Sequence, residues 1–354
     1  MADIATPPLQ YTNLTLYLNS VAQCIDAALP RYLDGGEPRE SLYELAADYP
    51  LRGGKRFRPA LLMLCTALAG GDPQRALPSA VALELFQNFA LVHDDIEDNS
   101  ELRRGSPSLH RLHGVPLALN AGDLLFGLVY EVLLENEALL GAAQALEVQR
   151  RFAQAFRHTF EGQAMDIAWS QGSHIPTRDE YEKMIGKKTG WYSGRAPCEI
   201  GALIGGGDDL VAGLGAYGAK LGVGFQVRDD LLNLTADSAR AVPAAFSGGY
   251  GKEHGGDIAE GKRTLIVIEL LERLPATDAG RLKSILLAPP ADTAQADIAW
   301  VISLAETTGA LEAVQAHCGR LGREAAALLE PLPQSPQKEL LRAMADYLVQ
   351  ERES

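Results

Sequence analysis

The sequence predicts one large all-α domain built around a central cavity. Three observations carry that expectation. Apolar residues recur three and four apart from about residue 15 to 235, as in LYLNSVAQCIDAALPRYL and ALELFQNFALVHDDIED, the period of amphipathic helices. Alternating β-branched runs bounded by turn residues, the mark of strands, are hard to find. Helix punctuation is frequent, at Pro59, Pro78, Pro107, Pro116 and the cluster Gly205-Gly206-Gly207.

Taken in order, residues 1–14 are expected as a loose arm, and the domain runs from 15 to 354. Pro59 is expected at the first position of its helix, where a missing N–H costs nothing. The longest apolar stretch is read as PALLMLCTALAGG at 59–71, too short to span a bilayer. The Gly-rich segment at 247–261, SGGYGKEHGGDIAEG, is read as a loop and a mobile flap. The helical pattern resumes in KRTLIVIELLERL, and a softer break at 287–296 precedes the last helical stretch. No repeat of fixed period and no low-complexity tract interrupts this plan.

Composition excludes several classes. With 47% hydrophobic residues the chain can bury a core, and disorder is ruled out. The 32 Lys and Arg against 46 Asp and Glu leave a net charge of −14, which argues against a nucleic-acid partner, since phosphate backbones are held by surplus cations. Four scattered cysteines, Cys24, Cys65, Cys198 and Cys318, form neither a zinc motif nor a disulfide framework. The N-terminus lacks the basic and apolar regions of a signal peptide, so the expected location is the cytoplasm.

The chemistry lies in two acidic motifs. In DDIED at 94–98, Asp94 and Asp98 project from one helical face four residues apart. Like charges at that spacing destabilise a bare helix, so a cation between them is expected, and oxygen donors without His or Cys favour a hard ion such as Mg²⁺. A solvated acidic surface is the bland alternative, but the preceding LELFQNFALV is too apolar for one, and the acids are expected to open into a cavity. A second motif, FQVRDDLLNL at 225–234, puts Gln226, Asp229, Asp230 and Asn233 on one stripe amid apolar residues. Two such helices flanking one cavity could hold several metal ions around one anionic group, which makes phosphoryl or diphosphate chemistry the leading class.

Basic residues stand where such a substrate needs them. GGKRFRP at 53–59 carries Lys55 and Arg58, LRRGSP carries Arg103 and Arg104, and GKKTG at 186–190 carries Lys188. GKEHGGDIAEGKRT at 251–264 adds Lys252 and Lys262. Arg forks and Lys point charges are what hold a diphosphate. Two decoys are set aside. GLGAYG at 213–218 matches GxGxxG but follows no strand, so close helix packing explains it better than a dinucleotide site. His93 beside Asp94 suggests a metal phosphohydrolase pair, a weak alternative because no further His lies at ligand spacing.

In this order, GGKRFRP, LVHDDIEDNSELRRGSP, EGQAMDIAW, MIGKKTG, GFQVRDDLLNL and GGDIAEGKRT resemble the trans-isoprenyl diphosphate synthases, the polyprenyl synthetase family, from about residue 50 to 265. The resemblance implies a single isoprenoid synthase helical domain around a central cavity, and a homodimer. It implies that Asp94, Asp98, Asp229 and Asp230, with Asn233 closing the second motif, hold Mg²⁺ ions that bridge an allylic diphosphate. Arg103, Lys188, Thr189, Gln226, Lys252 and Lys262 would hold that diphosphate, and Lys55, Arg58 and Arg104 isopentenyl diphosphate. Two positions depart from the family pattern. Gln87 stands where a His is usual, and it can donate a hydrogen bond but carries no charge. Asn233 replaces a frequent Asp, as in geranylgeranyl-type members.

The implied reaction is ionisation of the allylic diphosphate, attack by the double bond of isopentenyl diphosphate, and proton loss. Charge stabilisation and positioning supply the catalysis, and no nucleophilic side chain is needed. The resemblance also makes Phe89 and Ala90, five and four residues before Asp94, the floor of a chain-length tunnel. That points to a short-chain product, geranylgeranyl diphosphate first and farnesyl diphosphate second. A class I terpene cyclase and a non-catalytic partner subunit are the competing readings; Lys55 and Arg58 speak against the first, the intact DDIED against the second.

Overall fold

A computed structural model describes residues 9–235 and 254–349. Helices α1 (Leu14–Ala28), the one-turn α2 (Pro30–Leu33) and α3 (Glu44–Leu51) lead into α4 (Phe57–Leu68) and α5 (Leu77–Glu97). A two-residue hairpin pairs Leu102–Arg103 with Ser106–Pro107, the one sheet among the described residues, and turns the chain into α6 (Leu109–His113). Helices α7 (Val115–Leu134), α8 (Asn136–Leu140), α9 (Ala142–Ser170) and α10 (Arg178–Ile185) follow. A π-helical stretch, Gly186–Arg195, then connects to α11 (Ala196–Gly205) and α12 (Val211–Thr235). The C-terminal part comprises α13 (Gly256–Ala259), α14 (Leu265–Arg273), α15 (Ala276–Leu286), α16 (Gln295–Thr307), α17 (Ala310–Leu328) and α18 (Pro336–Val349).

Local signals start these helices where they start. The Asn13 side chain accepts from the Leu16 N–H at 2.9 Å and caps α1. Thr177 and Glu180 form a reciprocal capping box on α10, and Thr264 caps α14. Residues just ahead of α1 lie against it: Tyr11 stacks on Tyr17 at 5.4 Å, and Tyr17 donates to Ala60 O, tying α1 to α4.

The hub is α5. It is buried almost all round, from Val81 through Phe86 to Val92, as expected of a helix without a polar face, and it packs against α4 and α7. Helix α12 packs against the π-helical stretch and α17. There glycine meets glycine. A Cβ at Gly194 would fall 1.9 Å from Gly218 O, and one at Gly222 would fall 2.9 Å from Gly190 Cα. Gly215 and Gly218 of GLGAYG therefore serve close helix packing, as the sequence suggested, whereas a Cβ at Gly213 would meet nothing within 4 Å.

Three details differ from the sequence reading. Helix α4 starts at Phe57, so Pro59 sits third rather than first; Arg56, held in the left-handed region at φ 46° by hydrogen bonds to Asp26, Glu84 and Pro50 O, ends the preceding loop earlier than proline alone suggests. Part of the expected Gly-rich loop, Gly256–Ala259, is a helical turn, and its 247–253 portion lies outside the described residues. Besides the stretch at 59–71, the sequence reading did not single out Val115–Leu140, which is long and apolar enough to cross a membrane by length and composition alone. Asn120, Asp123 and Glu131 break its apolar pattern in sequence, and α7 packs along α5 within the bundle.

Candidate active site

A cavity of about 400 Å³ opens among α5, α9, the π-helical stretch and α12, with the loop ahead of α4 at its side. That volume is within the range of small-ligand sites. Both acidic motifs line it.

The first motif occupies the C-terminal end of α5. Asp94 accepts from Lys188 Nζ and from Gln163 Nε2, each at 3.2 Å. Asp98 takes Lys262 Nζ on Oδ1 at 2.6 Å, while its buried Oδ2 has no hydrogen-bond partner among the described residues. Both lysines also converge on Asp166 of α9, at 2.7 and 3.3 Å. Burial works to raise the Asp166 carboxyl, but Lys188 and Lys262 outweigh it and hold it down at about 2. The two ammonium groups are raised above the usual lysine range by the same carboxylates, against burial.

Between Asp94 and Asp98 on the chain, Asp95 turns the other way. It is 1% exposed, accepts from Tyr49 Oη at 2.5 Å, and takes Arg103 Nε at 3.0 Å. Arg103 thereby reaches to within 3.7 Å of Asp94. The second motif repeats the division. Both aspartates border the cavity, Asp229 half-buried and Asp230 buried, the latter accepting from Tyr181 Oη at 2.5 Å and from Gln226 Nε2 at 2.9 Å. Burial, and then Asp257, push the Asp230 carboxyl up to about 8, against those two donors. Gln226 in turn accepts from Thr189 Oγ1 at 2.9 Å, so Lys188, Thr189 and Gln226 form one continuous wall.

The remaining basic residues gather on the loop ahead of α4. Burial lowers the Lys55 ammonium to about 8, with Asp229 opposing and Arg228 assisting. Arg58 lies over the Tyr192 ring at 4.7 Å and donates Nε to Ser193 Oγ at 2.8 Å. Tyr192 Oη donates to Gln87 Oε1 at 2.7 Å, so Gln87 and Arg58 meet on one phenol. Arg104, at φ 54°, donates to Tyr49 O at 2.6 Å, and burial lowers its guanidinium to about 10.

Deeper along α5 the wall turns aromatic. Phe89 packs on Phe126 at 4.9 Å and Phe86 at 5.5 Å, and Phe160 of α9 stands edge-on to it at 5.9 Å. Phe89, Ala90 and Phe160 line the cavity. Five residues of helix put Phe89 about 7.5 Å below Asp94 along the axis.

The structure thus brings nearly all of the expected residues to one cavity. Asn233 is the exception: it is fully buried, its carboxamide accepts from the Asp257 N–H at 3.3 Å, and it is not part of the cavity lining. Asp257 faces the cavity instead, and nothing in the DDLLN spacing announces it. Lys252 lies outside the described residues. Asp166, Tyr192, Tyr49 and Tyr181 were missed by sequence reasoning; Asp166 stood inside EGQAMDIAW, where its apolar neighbours offered the only hint.

The donors fit Mg²⁺. The acidic side chains that line the cavity at the two motifs, Asp94, Glu97, Asp98, Asp229 and Asp230, offer carboxylate oxygens, and Asp98 Oδ2 is a buried acceptor lacking a donor among the described residues. Among those residues no three acidic, His or Cys side chains converge tightly enough to enclose an ion alone. A hard cation here needs water and substrate oxygens to complete its shell, which is how Mg²⁺ is commonly held.

Known proteins agree with this geometry. The polyprenyl synthetase family matches residues 39–304. A short chain isoprenyl diphosphate synthase of Methanothermobacter thermautotrophicus is 37% identical over 321 residues, 88% of this chain and 93% of that protein. The crystal structure of geranylgeranyl pyrophosphate synthetase from Pyrococcus horikoshii superposes with a TM-score of 0.84 at 34% identity, covering 96% of this chain and 98% of that one. A geranylgeranyl pyrophosphate synthase of Corynebacterium glutamicum, complexed with isoprenyl diphosphate and magnesium, gives a TM-score of 0.82 at 27% identity over 97% and 100% of the two chains. Since the ordered motifs, the helical cavity and these likenesses coincide over most of its length, the chain belongs to the polyprenyl synthetase family.

Proposed function

We propose that the protein condenses isopentenyl diphosphate with an allylic diphosphate and releases geranylgeranyl diphosphate. The chain is a prenyltransferase of the isoprenyl diphosphate synthase class. One observation carries the reading: two carboxylate-bearing helix ends, a lysine pair and a separate Lys55–Arg58–Arg104 group line a single cavity floored by aromatic rings.

Asp94, Asp98 and Asp229 hold the metal ions. Bound Mg²⁺ supplies Lewis-acid stabilisation of charge on the departing diphosphate. Lys188, Lys262 and Arg103 add fixed positive charge at the same place, with Thr189 and Gln226 as neutral donors. The allylic carbon–oxygen bond breaks with its electron pair leaving on the diphosphate. Lys55, Arg58 and Arg104, with Gln87 donating its amide, hold isopentenyl diphosphate so that its double bond attacks the cation; this is catalysis by positioning. The departing proton can be taken by the released diphosphate.

Phe89, backed by Phe86 and Phe126, stops the growing chain. Val115, Leu119, Tyr130 and Leu134 share one face of α7 and are 47%, 43%, 42% and 66% exposed, which supports a homodimer that covers them. The four buried thiols suit a reducing compartment, the cytoplasm.

The decisive assay supplies Mg²⁺, labelled isopentenyl diphosphate and, separately, dimethylallyl, geranyl and farnesyl diphosphates, then identifies the dephosphorylated alcohols. Geranylgeraniol is expected. Farnesol as end product would move the tunnel floor. Consumption of a lone allylic diphosphate without label would make the protein a cyclase, and no reaction at all a partner subunit.

A further inference from the structure

The two acidic motifs share a feature that their sequences do not reveal. In each, the first aspartate is half-buried and the second buried: Asp94 and Asp95 on α5, Asp229 and Asp230 on α12, with Asp95 outside the cavity lining and Asp230 at its edge. Each buried carboxylate is met by a tyrosine hydroxyl from a different helix at 2.5 Å, Tyr49 of α3 for Asp95 and Tyr181 of α10 for Asp230. Both tyrosines are among the largest fully buried side chains, so neither hydroxyl can turn to water instead. A second donor completes each carboxylate, Arg103 for Asp95 and Gln226 for Asp230. Those donors themselves line the cavity.

We infer that Tyr49 and Tyr181 are paired positioning residues: each holds the second aspartate of its motif in a fixed orientation, so that Asp94, Asp98 and Asp229 are left to present oxygens to the metal ions, and each fixes the donor on that aspartate toward the diphosphate. Adjacent aspartates on a helix point about 100° apart, so a second carboxylate could swing toward a cation unless something held it. A short hydrogen bond from a buried phenol supplies that restraint, and Arg103 or Gln226 then leans on a fixed platform. Tyr49 does more, because its backbone carbonyl also takes Arg104 at 2.6 Å. It therefore links the arginine beside Asp94 to the arginine assigned to isopentenyl diphosphate.

The inference rests on the metal-site reading above, and one titration separates the two. Mn²⁺ binding is measured by electron paramagnetic resonance in the presence of inorganic pyrophosphate, alongside kcat and KM with Mg²⁺. Asp94→Asn and Asp229→Asn are expected to weaken Mn²⁺ binding at least about 10-fold. Asp95→Asn and Asp230→Asn, which keep an acceptor for the phenol, should stay within about 3-fold. Tyr49→Phe and Tyr181→Phe should each raise the Mn²⁺ Kd about 5-fold, the worth of one buried hydrogen bond, and lower kcat. A merely structural tyrosine would lower the melting temperature and leave the Mn²⁺ Kd unmoved. The inference is overturned if Asp95→Asn or Asp230→Asn loses Mn²⁺ as severely as its neighbour, or if both phenylalanine variants bind Mn²⁺ like the parent. Should those two variants fail to fold, the asparagine pair decides alone. Undisturbed binding in Asp94→Asn and Asp229→Asn would overturn the metal-site reading itself.

Discussion

Lys262 Nζ lies 2.6 Å from Asp98 Oδ1, so the loop ahead of α14 is tied to the end of α5. Lys188 makes the corresponding contact with Asp94 at 3.2 Å. Within the site, Lys188 and Lys262 and the carboxylates of Asp94, Asp98 and Asp166 neutralise one another. On the proposed function, a magnesium diphosphate complex would offer each partner a stronger one and would enter by exchange.

Replacing Asp94 or Asp229 by alanine should lower kcat about 1,000-fold, the scale seen when a group stabilising transition-state charge is removed. Circular dichroism should remain that of the parent, because neither side chain belongs to the core. Chelating divalent ions should produce the same loss, reversed by Mg²⁺. A variant retaining near-parental turnover would remove that residue from the metal set.

Phe89→Ala should lengthen the product by one or more isoprene units, read by chromatography of the dephosphorylated alcohols. Truncating a buried Phe costs roughly 3–5 kcal/mol, and the existing cavity beside Phe89 favours the lower end. The variant should therefore be assayed well below its melting temperature. An unchanged chain length would pass the stopping role to Phe126 or Phe160.

Lys55 gives a pH signature. Burial first, aided by Arg228 and opposed by Asp229, lowers its ammonium from 10.5 to about 8. Below about pH 8 it is charged and attracts a diphosphate; above, that attraction fades. The KM for isopentenyl diphosphate should rise through that pH while kcat, measured on the loaded enzyme, changes less. Lys55→Arg should move the rise to higher pH, and a parent profile flat from pH 7 to 9 would contradict the assignment.

Asp166→Asn tests the shared anchor. Its folded carboxyl at about 2 lies below the ordinary 3.8, so its stabilisation is present above 3.8 and is lost as pH falls through 2. A shift of that size corresponds to roughly 2 kcal/mol. At neutral pH the variant should melt several degrees lower, and the gap should narrow as pH drops below 4. It should also bind allylic diphosphate less tightly, since Lys188 and Lys262 would lose their common partner.

Leu119→Glu combined with Leu134→Glu should convert a dimer to the single-chain mass of 38.0 kDa in light scattering, because both leave α7 on the same exposed face. A parent protein already running as a monomer would refute the dimer.

Much of this was legible in the residues themselves. Asp94, Asp98 and Asp229 announce themselves because charge on an apolar helix is costly without a purpose, and the helical period fixes which of them share a face. Asn233 shows the limit of that reasoning. It keeps the right stripe on α12, yet the turn carrying Asp257 packs over it and claims its carboxamide. Asp166, Tyr49 and Tyr181 were invisible for a related reason: each acts on a motif on another helix, and such pairings exist only once the helices have packed. The start of α4 was misplaced because a buried Arg56, rather than Pro59, decides it.

The glycine seam between the π-helical stretch and α12 has a consequence for how this protein tolerates change. Gly190 and Gly194 touch Gly222 and Gly218 backbone to backbone, and the first pair lies within a few residues of Lys188 and Gln226. The seam sets the gauge between the lysine wall and the second acidic motif. A methyl group added at Gly194, Gly218 or Gly222 would fall 1.9, 2.3 or 2.9 Å from backbone atoms across the seam and would force the two segments apart, which on the proposed function misaligns groups that grip one diphosphate. Saturation mutagenesis should accordingly find Gly194, Gly218 and Gly222 as intolerant as the aspartates, while Gly190, where a Cβ would make only ordinary contacts, accepts alanine: in this enzyme, spacing is inherited through residues that have no side chain.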